Sequence, residues 1–182
     1  MMQVTQTALE GVLIIEPKEH SDARGSFYEV YVKRKYEEHG ILADFVQDNH
    51  SVSKKGVLRG LHFQLNPAQT KLVRVARGEV FDVAVDLRQD SSTFGHWVGE
   101  RLSGTNRKQL YIPIGFAHGF CVLSDTAEFL YKCSDYYSPC GEGGIVWNDP
   151  DIGIDWPVRD PILSEKDKKL PRLSEIASSL RF

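Results

Sequence analysis

The chain has 182 residues, 41% of them hydrophobic and 26% charged, which is enough for one globular domain with a sizeable core. The net charge of −3 excludes a global basic field for nucleic acid or anionic membranes, so an anionic ligand would need a local cluster of cations. We find no apolar stretch long enough to span a bilayer and no signal peptide at the N-terminus. The cysteines Cys121, Cys133 and Cys140 form no CxxC pair, and their odd number argues against a disulfide framework. We therefore expect a cytoplasmic protein.

The first part of the chain contains short strand candidates and one helix-prone segment. Residues 12–15 form an apolar strand candidate, and residues 22–25 form a turn in which glycine supplies the unusual backbone angles. The alternation in residues 26–32 predicts a strand. Residues 33–39 are charged, helix-prone and followed by glycine, a typical helix C-cap. Residues 45–53 are the next strand candidate.

Residues 56–64 read Gly-Val-Leu-Arg-Gly-Leu-His-Phe-Gln, an apolar run that predicts a buried strand. Arg59 and His62 are unexpected there, because a buried charge or imidazole needs a partner. A regular strand would also place these two side chains on opposite faces. Gly60 lies between them, and glycine within a strand often marks a bulge. We expect a bulge that brings Arg59, as an anion-binding residue, beside His62, as a catalytic base. The alternative is that His62 is a hydrogen-bonded core histidine and that Arg59 belongs to a structural ion pair.

Two pairs of alternating segments predict β-hairpins, namely residues 69–76 with 79–87 and residues 121–123 with 127–133. In the 79–87 segment, Asp82 and Asp86 lie on the face opposite to an apolar one. This pattern fits a barrel wall that lines a polar cavity, and it equally fits a face exposed to solvent.

The rest of the chain adds strands and loops but only a weak helical pattern. Residues 97–102 and 109–114 are strand candidates, while residues 141–144 and 147–157 have loop composition, and residues 170–180 have a weak helical pattern. Many short strands with close turns and few helices predict an all-β fold, a cupin-like jelly-roll barrel or sandwich with a few short peripheral helices. We expect a single domain over residues 1–182 with a C-terminal extension from about residue 160.

Acid–base chemistry is the chemistry that the sequence motifs leave open. The histidines form no H-x-H or H-x-x-x-H pair, so a metal site is disfavoured, and no nucleophile elbow or glycine-rich phosphate loop occurs. His62 can act as a base near neutral pH and Tyr131 can donate or accept a proton, with Lys71 on the next strand. Either Asp82 or Asp167 could orient His62.

Several motifs occur in one order along the chain: Asp22-Ala-Arg-Gly-Ser-Phe-Tyr-Glu29, Gln47-Asp-Asn49, Leu58-Arg-Gly-Leu-His-Phe-Gln64, Lys71-Leu-Val-Arg-Val75, Pro113-Ile-Gly-Phe-Ala-His-Gly-Phe120, Trp147-Asn-Asp-Pro150 and Leu163-Ser-Glu-Lys-Asp167. Together they resemble the dTDP-4-dehydrorhamnose 3,5-epimerase family, from about residue 4 to about residue 175. The Arg-Gly-Leu-His-Phe-Gln block and the Pro-x-Gly-Phe-Ala-His-Gly-Phe block are specific in combination, although each alone would be weak.

The resemblance implies a metal-independent, cofactor-free jelly roll that forms a homodimer. It implies a substrate, dTDP-4-dehydro-6-deoxy-D-glucose, that is inverted at C3 and C5 in dTDP-L-rhamnose biosynthesis. The protons on C3 and C5 are acidic because both carbons are α to the C4 ketone. By the same resemblance His62 is the base, Asp167 its partner, Tyr131 the proton donor and Lys71 the group near the C4 oxygen.

The resemblance also implies a set of residues that contact the nucleotide or the sugar. They are Arg24, Phe27, Glu29, Gln47, Asp48, Asn49, Arg59, His118, Glu142 and Lys166. Either Tyr136 or Tyr137 would stack on thymine. A single-site epimerase of another nucleotide-linked 4-ketosugar and a non-catalytic jelly-roll sugar-binding module remain as alternatives.

Overall fold

The computed structural model describes residues 2–182 and consists mainly of short β-strands. The strands are β1 (Gln3–Gln6), β2 (Leu13–Glu16), β3 (Glu19–Asp22), β4 (Gly25–Tyr28), β5 (Gln47–Lys54), β6 (Leu58–Gln64), β7 (Lys71–Arg77), β8 (Glu79–Asp86), β9 (Trp97–Ser103), β10 (Gln109–Ile112), β11 (Phe116–Val122), β12 (Thr126–Cys133) and β13 (Glu142–Gly144). The helices are α1 (Lys33–Glu37) and α2 (Leu173–Ile176), with 3-10 turns at Asp167–Lys169 and Ala177–Ser179. The predicted all-β class is confirmed. Within residues 2–182, every helix is too short or too polar to cross a membrane.

Two antiparallel sheets pack face to face and make the jelly roll. One has the order β1-β2-β10-β7-β12-β5 and the other the order β13-β6-β11-β8-β9. Apolar side chains from the inner faces form the core between them, for example Val73, Val75, Val80 and Phe120. The β3–β4 hairpin is a separate two-stranded sheet that pairs with neither of them. This arrangement confirms the predicted cupin-like architecture.

The outer faces of both sheets are covered by other segments of the chain. Tyr36 of α1 packs on the six-stranded sheet, whereas Leu173 and Leu180 pack on the five-stranded sheet. The C-terminal segment is tied to the start of β6 by a parallel bridge between Ile162 and Val57, the residue that precedes the strand. Residues beyond 160 therefore run along the same sheet as His62. The division into one domain and an extension stays a prediction.

Both predicted β-hairpins are wrong. β7 and β8 belong to different sheets, and so do β11 and β12, so each turn carries the chain across the sandwich. Gly78 lies at the first crossing with a φ of 83°, and a Cβ there would lie 2.1 Å from the carbonyl oxygen of Thr126 in the second crossing. The alternation of side chains is the same whether a strand pairs with the next strand or faces it, so the sequence pattern does not distinguish the two cases.

Some element boundaries that the local sequence pattern predicted differ from those in the structure. The strand predicted for residues 26–32 ends at Tyr28, and β13 forms where a loop was expected because it pairs with the edge of β6. Asp82 and Asp86 are both fully buried, so the solvent-exposed interpretation of that face of β8 is wrong. The weak helical pattern of residues 170–180 becomes α2 and a 3-10 turn.

The predicted bulge at Gly60 is confirmed. In the β6–β11 pair His62 lies opposite His118 and Arg59 lies opposite Phe120, so β6 contains one more residue than β11 over this interval. Gly60 has a φ of 116°, a conformation that residues with a side chain rarely adopt. Because of this extra residue, Arg59 and His62 both line the same cavity.

Candidate active site

A cavity of about 530 Å³ lies between the two sheets. The six-stranded sheet contributes Lys71 and Tyr131, and the five-stranded sheet contributes His62 and His118. The C-terminal segment closes one side with Asp167 and its neighbours. The four residues for which the sequence predicted catalytic roles thus line one cavity.

His62 is paired with Asp167. Its Nε2 lies 2.7 Å from Asp167 Oδ1, and the backbone N–H of Asp167 donates to Ser164 Oγ at 3.0 Å. Burial raises the pKa of Asp167, but the hydrogen bond and charge of His62, together with the Gly60 N–H, outweigh it and hold that pKa below its usual range. The carboxylate is therefore ionised at neutral pH and fixes the orientation of the imidazole ring.

Asp82, the other candidate partner of His62, is bound to His118 instead. His118 Nε2 lies 3.1 Å and 3.0 Å from the two carboxylate oxygens of Asp82. Burial raises the pKa of Asp82 above its usual range, and His118 and Lys71 oppose this effect only in part. Two histidines of the cavity wall, on the adjacent strands β6 and β11, are therefore each bound to a different carboxylate.

Tyr131 and Lys71 lie on the neighbouring strands β12 and β7. Burial raises the pKa of Tyr131, so its phenol is protonated at neutral pH and can act as a donor. Burial lowers the pKa of Lys71 below its usual range, and the carboxyl groups of Asp82 and Glu142 oppose that effect only in part. Lys71 is thus an amine whose positive charge depends on the acidic groups around it.

Three polar side chains meet at the cavity mouth. Tyr137 Oη donates to Glu142 Oε2 at 2.7 Å, and Lys166 Nζ forms an ion pair with the same oxygen at 2.5 Å. Burial raises the pKa of Glu142, but Lys166 and Tyr137 outweigh burial and hold that pKa below its usual range. The carboxylate is therefore ionised at neutral pH. Tyr137 lines the cavity, whereas Tyr136 does not.

A row of polar side chains on β5 continues the wall. Gln47 Nε2 donates to Asn49 Oδ1 at 3.1 Å, and Gln47 Oε1 accepts the backbone N–H of Tyr137 at 2.9 Å. Both side chains line a smaller cavity of about 100 Å³ that also contains His62, Lys71 and Tyr131 in its wall. Arg59 Nε donates to Ser53 Oγ at 3.1 Å, which holds its guanidinium against the same strand.

Four predicted contact residues lie outside this cavity. Asp48 points to the opposite face of β5, since side chains alternate along a strand, and it pairs with Lys132 at 2.9 Å. Arg24 and Phe27 lie on the exposed β3–β4 hairpin, and Glu29 follows it directly. In one chain by itself, these hairpin residues do not reach His62.

Sequence reasoning missed several residues of the cavity wall, including Ser51, Phe120, Phe129 and Ser164. Within residues 2–182, Ser51 Oγ is the buried side-chain polar atom without a hydrogen-bond partner. Side chains alternate along β5, so Ser51 lies on the same face as Gln47 and Asn49. This alternation could have predicted from the sequence that Ser51 lines the cavity.

The arrangement is suited to moving protons at a carbon atom. A histidine with an ionised partner can remove a proton, a protonated phenol can return one, and an amine can stabilise negative charge between the two events. The described residues 2–182 contain no group of three or more His, Cys, Asp or Glu side chains that could hold a metal ion. Fold and site together define a cupin-like jelly roll whose inter-sheet cavity is equipped for acid–base chemistry.

Comparison with known proteins identifies the family. The family model described as dTDP-4-dehydrorhamnose 3,5-epimerase matches residues 6–175. The dTDP-4-dehydrorhamnose 3,5-epimerase of Salmonella typhimurium is 59% identical over 178 residues, which cover 96% of this chain and 97% of that protein. The dTDP-4-dehydrorhamnose 3-epimerase of Streptomyces niveus is 43% identical over 176 residues, which cover 96% of this chain and 85% of that protein.

A solved structure agrees with the sequence comparison. The dTDP-6-deoxy-D-glucose-3,5-epimerase of Legionella pneumophila, in complex with dTDP-4-keto-L-rhamnose, has a TM-score of 0.95 and 52% identity to this chain. The match covers 98% of this chain and 96% of that chain. The chain belongs to the dTDP-4-dehydrorhamnose 3,5-epimerase family, which confirms the resemblance seen in the motifs and the expectation of an isomerase.

Proposed function

We propose that the protein inverts C3 and C5 of dTDP-4-dehydro-6-deoxy-D-glucose to give dTDP-4-dehydro-L-rhamnose, a step of dTDP-L-rhamnose biosynthesis. The observation that carries the proposal is the presence of His62, Tyr131 and Lys71 in the wall of one cavity, with Asp167 2.7 Å from His62. The names of the relatives at 50–60% identity support the same reaction.

His62 removes the proton from C3 or C5. The electron pair of the broken C–H bond moves into the C4 carbonyl and generates an enolate with negative charge on O4. The ammonium group of Lys71 stabilises that charge more in the transition state than in the ground state. Asp167 stabilises the imidazolium that His62 becomes, which is the role of the carboxylate in other histidine–carboxylate pairs.

Tyr131 returns a proton to the same carbon from the opposite face of the ring, and this reversal of faces is the inversion. The buried phenol supports this role because it is protonated at neutral pH. After one inversion His62 carries a proton that Tyr131 lacks. The pair is reset by net transfer of one proton from the imidazolium to the phenolate before the next inversion.

The nucleotide part of the substrate is bound by the residues around the mouth and along β5. Arg59 and His118 neutralise the diphosphate, since the guanidinium fork suits phosphate oxygens. Tyr137 stacks on thymine, and its place in the cavity wall favours it over Tyr136. Glu142 and Lys166 contact the nucleotide or the sugar from the mouth.

The protein acts as a homodimer in which the β3–β4 hairpin completes the cavity of the partner subunit. Arg24, Phe27 and Glu29 lie outside the cavity of their own chain, so they can contact substrate only in another subunit. Phe27 is 67% exposed, which is unusual for an aromatic side chain without a partner. We assign no substrate contact to Asp48, because its side chain points away from the cavity.

Sedimentation and a mixing experiment test the shared site. A variant with Arg24→Ala and Phe27→Ala is mixed with His62→Ala, and the subunits are exchanged. Each mixed dimer then contains one cavity with an intact His62 and an intact hairpin, so about a quarter of the wild-type activity should return. A monomeric mass, or a mixture no more active than the sum of its components, would contradict the shared site.

Proton NMR of the substrate in heavy water tests the reaction itself. Deuterium incorporation at both C3 and C5 is the expected result. Incorporation at one carbon only would support the second candidate, a single-site epimerase, which the Streptomyces niveus relative favours by its name. Binding of the nucleotide sugar without any exchange would support a sugar-binding module and overturn the enzymatic proposal.

A further inference from the structure

One arginine of the β9–β10 turn, Arg107, contacts both strands of the β3–β4 hairpin. Its Nη2 donates to Ser26 Oγ of β4 at 3.2 Å, and its Nη1 forms an ion pair with Glu19 of β3. The carbon at the centre of the guanidinium lies 4.9 Å from the centre of the Tyr28 ring, in a cation–π contact. A single side chain therefore joins the hairpin to the main body of the sandwich.

The backbone of Arg107 is also unusual. Its φ is 56°, and within residues 2–182 it is the residue other than glycine that has a positive φ. This left-handed conformation is unfavourable for a residue with a Cβ, and glycine or asparagine is the usual choice. An arginine at such a position indicates that its side chain has a function there, because the backbone alone favours glycine.

We propose that Arg107 is a positioning residue for substrate binding, which holds the hairpin in the direction that presents Arg24, Phe27 and Glu29 to the substrate. The inference rests on the proposed function, in which the hairpin completes the cavity of the partner subunit. The hairpin pairs with neither main sheet, and an isolated two-stranded hairpin is only marginally stable in water. Without Arg107, binding of the substrate has to order the hairpin, and this cost lowers the affinity.

The expected signature is a change in KM without a matching change in kcat. Arg107→Ala should raise KM about tenfold and weaken binding of dTDP by a similar factor, with kcat within about twofold of the wild type. Arg107 does not line the cavity that contains His62, so the chemical step should be unaffected. Arg107→Lys keeps the charge without the planar fork and should give an intermediate KM.

A second variant separates positioning from stability. Arg107→Gly also removes the guanidinium but relieves the left-handed backbone, so it should unfold at a higher temperature than Arg107→Ala while showing the same raised KM. Arg101→Ala is the matched control, because Arg101 pairs with Glu79 on β8 and does not contact the hairpin. Its KM and dTDP affinity should equal those of the wild type.

A double-mutant cycle with Phe27→Ala completes the test. If Arg107 acts by presenting the hairpin, part of the KM increase in Arg107→Ala is the loss of the Phe27 contact, so the two effects on KM should be less than multiplicative, and fully multiplicative effects would overturn the inference. An unchanged KM in Arg107→Ala beside a raised KM in Phe27→Ala would also overturn it. An unchanged KM and dTDP affinity in Phe27→Ala would instead refute the role of the hairpin in the proposed function, on which the inference rests.

Discussion

His62 and His118 lie directly opposite each other in the antiparallel pairing of β6 with β11, and each imidazole is bound to a different carboxylate. Asp167 reaches His62 from the C-terminal segment, whereas Asp82 reaches His118 from the neighbouring strand β8. The side chain of His62 is 30% exposed and that of His118 only 8%, so the two differ in access to the cavity. The greater exposure of His62 is consistent with the proton transfer proposed for it.

Replacing His62 by alanine should abolish deuterium exchange at both C3 and C5. The loss in kcat should be about a hundred- to ten-thousandfold, the usual contribution of a positioned base. Proton NMR of the substrate in heavy water measures both. His50→Ala is the control, because His50 is half exposed on the outer face of β5 and does not line the cavity. Exchange that persists in His62→Ala would show that another group is the base.

Tyr131→Phe should separate proton removal from inversion. The variant retains His62 and Lys71, so exchange at the first carbon should persist while the epimerised product is lost. Product analysis combined with deuterium exchange distinguishes the two steps. Tyr136→Phe is the matched control, since Tyr136 is 66% exposed and lies outside the cavity. Full activity in Tyr131→Phe would remove Tyr131 from the mechanism.

The stability of the fold should depend on pH through Asp86. Burial alone would raise its pKa, but hydrogen bonds from Arg88, Thr93 and Ser91 outweigh burial and lower the pKa from 3.8 to about 2. A carboxyl group with a lowered pKa stabilises the folded state above its ordinary pKa, and this contribution is lost as the pH falls toward 2. The difference in pKa corresponds to about 2 kcal/mol of unfolding free energy at neutral pH.

Urea unfolding of Asp86→Asn at several pH values checks this contribution. The variant should be less stable than the wild type by at least about 2 kcal/mol at pH 7, and the gap should shrink between pH 4 and pH 2. Asp90→Asn, an exposed residue of the same loop, is the control and should show no such gap. A gap that stays constant over this range would refute the role of Asp86 ionisation.

Gly60→Ala should destabilise the protein and inactivate it. The position has a φ of 116°, and a Cβ would lie 2.6 Å from the Cα of Gly119 and 2.7 Å from the carbonyl oxygen of His118. We expect a loss of more than about 3 kcal/mol in unfolding free energy. Gly56→Ala is the control: its φ is 79° with open space around the new Cβ, so it should lose only about 1 kcal/mol. Equal losses in the two variants would refute the steric argument.

Chelator treatment should leave the activity unchanged. The proposed chemistry uses His62, Tyr131 and Lys71, and no step in it is assigned to a metal ion. The assay compares initial rates before and after dialysis against a chelator, with and without added divalent metal. Activity that is lost on dialysis and restored by metal would contradict the proposed mechanism.

Local sequence patterns were sufficient for part of the fold and site. The strand at residues 58–64, its bulge at Gly60 and the placement of Asp82 on one face of β8 all follow from side-chain alternation and from the backbone freedom of glycine. These are properties of a few consecutive residues. The resemblance placed His62, Lys71, Tyr131 and Asp167 in one site, and all of them except Tyr131 lie in motifs that can be recognised in the sequence.

Strand partners and side-chain pairs were decided by the tertiary structure. The turns after β7 and β11 read as hairpins, yet both cross between the sheets, and Asp167 rather than Asp82 pairs with His62 over a separation of 105 residues. The energy of such contacts comes from burial and pairing between distant segments, and no short window of sequence contains both partners. The sequence by itself therefore determined the class of fold and the chemical groups, while only the packed sandwich decided which groups meet.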